Sequence, residues 1–292
     1  MKVMKEVVVI SGKGGTGKTS ITASLAYINR QNSVVADCDV DAADMHLLLK
    51  PDFANPGEFY SGFTASIDQD NCIRCNKCKK VCAFDAINFI DGEFIINKLN
   101  CEGCGYCYHV CPSQTITMND AFSGNTYISK TRMNNTLVHA RLAIGADNSG
   151  KLVTRVKDLA KEQAKQQQKE YLLVDGTPGV GCPVTASVTG SDFVIIVTEA
   201  SISGLRDLKR AHELVMNFSI PMGVVINKSD LNPQVNKDIH EFLNSKEVPL
   251  LAEFAYNPRF VNALTKGITA TEFDDDLKDD IERLWENIGQ RL

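Results

Sequence analysis

No stretch of this 292-residue chain limits its fold as much as Ser11-Gly12-Lys13-Gly14-Gly15-Thr16-Gly17-Lys18-Thr19, which fits the pattern G-x-x-x-x-G-K-[ST]. A continuous apolar run, Lys5 to Ile10, leads into it, and Thr19 to Tyr27 reads as the helix that follows. Strand, glycine turn and helix N-terminus in that order make a phosphate cradle. Glycines let backbone N–H groups wrap an anion with no Cβ in the way, and the helix end adds partial positive charge. On this reading Gly12, Lys13, Gly14, Gly15, Thr16, Gly17, Lys18, Thr19 and Ser20 line a nucleotide's phosphates. Lys18 reaches the β and γ oxygens, and Thr19 ligates Mg²⁺.

The rest of the chain alternates between two periods. Ser33 to Ala36, Tyr171 to Val174, Phe193 to Thr198 and Met222 to Ile226 are further buried-strand candidates. Amphipathic stretches such as Lys151 to Lys169 and Gly204 to Phe218 separate them, so the expected fold is α/β with a doubly wound, mostly parallel sheet. From about Gly62 to Asn119 the rhythm gives way to a cysteine-rich segment. The expected organisation is therefore a P-loop domain from 1–61 and 120–292 with a small α+β module inserted at 62–119.

Of ten cysteines, eight fall into two runs: Cys72-x₂-Cys75-x₂-Cys78-x₃-Cys82 and, 29 residues later, Cys101-x₂-Cys104-x₂-Cys107-x₃-Cys111-Pro112. Both match the bacterial ferredoxin run, in which three close cysteines hold one cubane and the fourth holds its neighbour. That assigns Cys72, Cys75, Cys78 and Cys111 to one [4Fe–4S] cluster, and Cys101, Cys104, Cys107 and Cys82 to the other. Zinc sites favour C-x₂-C pairs separated by longer loops, which is not the pattern here. Ala83 stands where proline is usual, which loosens a turn and removes no ligand. Clustered rather than scattered cysteines point to a reducing, cytoplasmic setting.

The formal charge of −5 supplies no basic excess for nucleic acid, and no apolar run approaches the roughly 20 residues that span a bilayer. Leu277, Ile281, Leu284, Trp285 and Ile288 make an apolar stripe near the C-terminus. Between Glu272 and Leu292, however, eight Asp/Glu face three Lys/Arg, so an anionic membrane would repel it. The stripe is expected to pack on its own domain.

Lys13 is a second lysine in the glycine loop, and with it the string resembles the deviant P-loop of the MinD, ParA and nitrogenase iron-protein group. In that group the lysine crosses a dimer interface to the partner's nucleotide. Other segments extend the resemblance over nearly the whole chain. Asp37-Cys38-Asp39-Val40-Asp41 follows the second strand, where the family carries the acid that orients the attacking water and helps hold Mg²⁺. The resemblance gives that role to Asp39, with Asp37 and Asp41 as sharers or as simple caps of the loop. Asp175-Gly176-Thr177-Pro178-Gly179 resembles a Walker B strand entering switch II, with Asp175 on Mg²⁺ and Gly179 near the γ-phosphate. Asn227-Lys228-Ser229-Asp230 has the N-K-x-D form, which by itself permits guanine or adenine; in MinD-type proteins the Asn contacts adenine, which favours ATP.

Together these features resemble MinD-superfamily ATPases with an inserted ferredoxin domain. The resemblance implies a homodimer on ATP binding and a redox partner protein or a metallocofactor-assembly partner. Two further possibilities stay open: an iron–sulfur carrier of the Mrp type, and a MinD-like positioning factor. Cys38 is expected to be a packed thiol. Cys182 lies seven residues after Asp175, where the nitrogenase iron protein places a ligand of its inter-subunit cluster, but no second cysteine occurs from Leu137 to Lys151. A bridging cluster is therefore not expected.

Overall fold

The computed structural model describes residues 4–146 and 149–292. β1 (Lys5–Ser11), α1 (Lys18–Ile28), β2 (Ser33–Asp37) and α2 (Met45–Leu49) open the chain. There follow β3 (Gly57–Ile67), α3 (Lys77–Val81), β4 (Ile87–Ile90), β5 (Glu93–Ile96), α4 (Tyr106–Val110) and the long β6 (Ile116–Lys130). Alternation resumes with β7 (Thr136–Leu142), α5 (Ser149–Gln166), β8 (Tyr171–Pro178), α6 (Cys182–Val188), β9 (Phe193–Glu199) and α7 (Ile202–Met216). β10 (Met222–Asn227), α8 (Pro233–Ser245), β11 (Leu250–Glu253), α9 (Pro258–Lys266), α10 (Ala270–Phe273) and α11 (Asp275–Gly289) complete it.

The chain divides into two compact units, one made of Met1–Gly57, Thr126–Arg141 and Ser149–Leu292, the other of Glu58–Asn125 and Leu142–Asn148. In the first, the strand order is β11-β10-β9-β1-β8-β2-β7-β6. β1 pairs in parallel with both β8 and β9, and β2 with β8 and β7. Val7 to Ile10, Val34 to Ala36, Leu172 to Val174 and Val194 to Val197 are completely buried, as expected of strands covered on both faces. This is the mostly parallel P-loop fold, and its register matters for function. Asp37 and Asp175 are direct partners at the carboxyl ends of neighbouring strands, beside the turn that follows β1.

α11 turns its apolar stripe inward. Leu277, Ile281, Leu284 and Ile288 are buried, and Trp285 meets the Tyr171 ring edge-on at 4.9 Å. At about 1.5–3 kcal/mol for each fully buried large side chain, that packing outweighs any gain from a surface site. No helix among the described residues is long and apolar enough to cross a membrane.

His139 of β7 is 2% exposed and lies 3.0 Å from the Ser129 hydroxyl. It stacks on Tyr127 at 5.0 Å and meets Phe53 edge-on at 4.8 Å. Burial first, then the charges of His46 and Arg141, push its pKa from 6.5 down to about 4. The folded state thus holds the neutral ring. Its contribution is complete above pH 6.5, the unfolded value, and is lost as the pH falls from there toward 4. By pH 5 the loss reaches about 2 kcal/mol. The urea midpoint of the wild type should therefore drop further between pH 7.5 and 5 than that of His139→Gln; equal drops would reject this account.

In the second unit β3 lies beside β6. β4 and β5 form an antiparallel hairpin, Phe89 opposite Phe94, around Asp91-Gly92. Both turn residues take left-handed φ, 50° and 86°, as a tight hairpin turn demands. Ala65, Cys78, Ile87, Phe94 and Ile116 form a small core with five of the other cysteines packed against it. The sequence repeat is also a structural one: α3 and α4 each begin after a left-handed residue, Asn76 or Gly105, and end on an extended cysteine, Cys82 or Cys111. This unit reaches a few residues past each end of the 62–119 segment, because β3 and β6 continue beyond the cysteine-rich sequence, and it also takes in Leu142–Asn148, which the sequence alone assigns to the P-loop domain.

Candidate functional site

Two glycines of the first loop are sterically required. A Cβ on Gly12 would lie 2.6 Å from the Asp207 carbonyl oxygen, so the loop packs directly on the backbone of α7. Gly17 has φ of 95°, and a Cβ there would come within 2.5 Å of Asn227 Nδ2. That Nδ2 donates to the Thr16 carbonyl (2.8 Å), so Asn227 supports the cradle from the end of β10.

Lys18 is 6% exposed, with Nζ 2.9 Å from Asp175 Oδ1 and 3.5 Å from Asp39 Oδ2. The Thr19 hydroxyl donates to Asp175 Oδ2 at 2.7 Å. Asp37 accepts the Asp39 N–H at 3.2 Å through Oδ1, while its Oδ2 is buried without a partner. Burial, then Asp175, drives the Asp37 carboxyl well above the usual range. Burial also raises Asp39, against the opposing charge of Lys18. For Lys18 burial lowers the pKa, but Asp175 and Asp39 outweigh it and the net direction is up. Three acids around one ammonium leave a surplus of negative charge. Thr19, Asp39 and Asp175 offer hard oxygens of the kind Mg²⁺ takes. Asp41, the remaining candidate, is exposed.

A cavity of about 390 Å³ adjoins the loop. Its far wall is apolar, formed by Leu47 and Leu48 of α2 and by Tyr256, Phe260, Val261 and Leu264 in and before α9. Gly179, at φ of 98°, donates its N–H to the Ser11 carbonyl (2.8 Å), which brings the loop after β8 against the end of β1. Asp230 accepts the Tyr256 N–H through Oδ1 at 2.6 Å and so fixes the loop before α9.

Lys13 folds back within its own chain. Nζ lies 2.6 Å from Glu199 Oε1 and donates to the Ser203 hydroxyl at 2.9 Å. Lys228 takes the other oxygen of Glu199 at 3.2 Å and donates to the Gly15 carbonyl at 2.8 Å. Burial raises the Glu199 pKa, but hydrogen bonds from Lys13 and Lys228 hold it below the ordinary carboxylate value. Sequence reasoning missed Glu199, its pairing with Lys228, and the apolar wall. For the wall a signal existed: Asn257-Pro258 starts a helix, and Phe260, Val261 and Leu264 have helical spacing.

The cysteines gather into two sets in the second unit. Cys72, Cys75, Cys78 and Cys111 line one small cavity; Cys82, Cys101, Cys104 and Cys107 line another. Among the described residues no three or more His, Cys, Asp or Glu converge on a point as ligands of a single ion would. A cubane binds each thiolate through a different iron, so its ligands stay apart, and each set suits one. Burial raises the Cys111 pKa, but hydroxyls of Thr115 and Ser113, 3.5 and 3.6 Å from its sulfur, outweigh it and bring the thiol down to about 7. Cys38 is completely buried, which pushes its thiol far up, and Cys182 is exposed at the start of α6.

Comparison with known proteins agrees with this picture. The family described as CbiA, the CobQ/CobB/MinD/ParA nucleotide binding domain, matches residues 7–270. An uncharacterized protein of Methanocaldococcus jannaschii is 36% identical over 232 residues, 79% of this chain and 80% of its own. Ferredoxin-3 of Nostoc sp. is 32% identical over 76 residues, 20% of this chain and 78% of the ferredoxin. In fold the chain is similar to the septum site-determining protein MinD of Pyrococcus horikoshii, complexed with Mg-ADP, with a TM-score of 0.59 at 19% identity over 98% of this chain and 96% of that one. With a glycine loop built on β1 and a family match that spans most of its length, this chain belongs to the CobQ/CobB/MinD/ParA family of nucleotide-binding proteins.

Proposed function

We propose that this protein hydrolyses Mg-ATP and couples a nucleotide-dependent dimer to electron transfer through two [4Fe–4S] clusters, toward a partner metalloprotein or its cofactor assembly. One observation carries the reading: a single chain holds both a buried lysine paired with two carboxylates at a phosphate loop and two cavities each lined by four cysteines. ATP is favoured over GTP because Asp230, the residue that would read guanine, already holds the Tyr256 backbone.

Bound Mg²⁺ supplies charge neutralisation at the β and γ phosphates, and bound clusters supply one-electron storage. Thr19, Asp39 and Asp175 would hold the metal, Lys18 the phosphate oxygens, and Asp39 the attacking water. Asn227 borders the base. Lys13 acts on the partner's γ-phosphate, like an arginine finger in trans, and must leave Glu199 to do so. Cys72, Cys75, Cys78 and Cys111 hold one cluster; Cys101, Cys104, Cys107 and Cys82 hold the other.

Cys75 and Cys104 are exposed, one in each set, which favours a second reading as a cluster carrier. The two differ in their response to nucleotide. Under anaerobic conditions Mg-ATP should change the rate of electron transfer from the dithionite-reduced protein to an external acceptor at least severalfold. Rates identical with and without Mg-ATP, together with cluster transfer to an apo-ferredoxin, would replace the redox reading by the carrier one.

A further inference from the structure

The two cysteine loops repeat in sequence and shape but not in charge. From Asn71 to Cys82 there are four cations, Arg74, Lys77, Lys79 and Lys80, and no acid; from Asn100 to Cys111 there is one acid, Glu102, and no Lys or Arg. All four cations are exposed, and among the described residues none forms an ion pair. Asp68, just upstream, is occupied by its own turn, accepting from Asn71 Nδ2 at 2.7 Å and from the Asp70 N–H at 3.1 Å. Ile73 stands among the cations with 63% of its surface in water, and beside it Cys75 is an exposed member of its set. Four unpaired cations and an exposed isoleucine, set against Asp68 and Asp70 just upstream in a chain of net charge −5, make a local reversal of sign.

We propose that this rim is the docking surface for an acidic one-electron carrier protein, and that electrons cross here through the Cys72–Cys75–Cys78–Cys111 cluster. The proposal rests on the cluster reading above. Electron transfer needs close approach between redox centres, and an exposed ligand at the centre of the patch provides it. The step is balanced: the reduced carrier loses one electron, the oxidised cluster gains it, and no bond or proton moves. Cations at a rim raise the association rate with an acidic partner and make it fall with salt. The same charges stabilise the reduced, more negative cluster, which makes this cluster the better electron acceptor of the two. At about 1 kcal/mol for each cation, and with no amphipathic or membrane helix beside them among the described residues, these four hold an anionic membrane only weakly, and the central cysteine would have no purpose there.

The probe is flavodoxin, an acidic one-electron carrier, with cytochrome c as its basic counterpart, both followed by stopped-flow association with the intact protein. Flavodoxin association should slow about tenfold between low and physiological salt. Lys79→Glu/Lys80→Glu should slow it at least tenfold at low salt and favour cytochrome c, while Glu102→Lys changes flavodoxin association less than twofold. Iron and sulfide are measured on every sample. If the double variant loses iron, the wild-type salt dependence decides alone. Flavodoxin rates indifferent to salt, equal rates for the double variant with intact clusters, or stronger binding to phosphatidylserine vesicles than to flavodoxin would each overturn the proposal. A wild-type protein free of iron and sulfide that still binds flavodoxin in a salt-dependent way would overturn the cluster reading and leave the docking surface standing.

Discussion

Lys18→Ala should weaken Mg-ATP binding on the order of a thousandfold. The ammonium lies between Asp175 and Asp39, nearly out of water, so its loss removes the attraction for phosphate and leaves two carboxylates without a counter-charge. Removing one side of a buried, hydrogen-bonded charge contact to a bound partner costs about 2–5 kcal/mol of affinity, and each 1.4 kcal/mol is about a tenfold change. Lys13→Ala should behave differently. Its partner Glu199 keeps Lys228, so the loop stays intact and affinity should change less than about threefold. Hydrolysis, however, should fall by about 10³-fold on the trans role proposed for Lys13, because such a charge acts on the transition state. Calorimetry with a non-hydrolysable ATP analogue and a phosphate-release assay separate the two effects. Binding by Lys18→Ala within tenfold of wild type would contradict the role given to Lys18.

Cysteine exchange should show in the iron content. Anaerobically purified wild type should carry about eight iron and eight sulfide per chain, the content of two cubanes. Cys82→Ser should lower iron to about four, and the cluster lost should be that of Cys101, Cys104 and Cys107, since Cys82 lines their cavity. Double variants decide the point. Cys82→Ser/Cys101→Ser removes two ligands from one cluster and should still hold about four iron, whereas Cys82→Ser/Cys72→Ser should hold almost none. The reverse pattern would mean that each run serves its own cluster. Stoichiometric zinc without sulfide would discard the clusters altogether.

The parts of this protein that were legible in the sequence are those written in local patterns. The strand before Ser11, the glycine loop, the strand leading to Asp175 and the cysteine runs each depend on spacing along the chain. Choosing among Asp37, Asp39 and Asp41 did not: Asp37 ends β2 opposite Asp175, Asp39 in the following loop comes 3.5 Å from Lys18 Nζ, and Asp41 stays in water. Glu199 was invisible because its meaning comes from Lys13 and Lys228, each far away in sequence. β6 was missed because a half-exposed strand with Asn119, Asp120 and Gly124 in it carries few apolar residues to mark its period.

Gly57 and Thr126 are 69 residues apart, yet the Thr126 hydroxyl donates to the Gly57 carbonyl at 3.3 Å. The chain thus departs from the nucleotide-binding unit and returns to it at adjacent points. Loop-closure entropy depends only logarithmically on length, so a long detour between two such points burdens the parent fold little more than a short one. The same neighbourhood makes the stretch removable, with Gly57 joined to Thr126 through a short glycine linker.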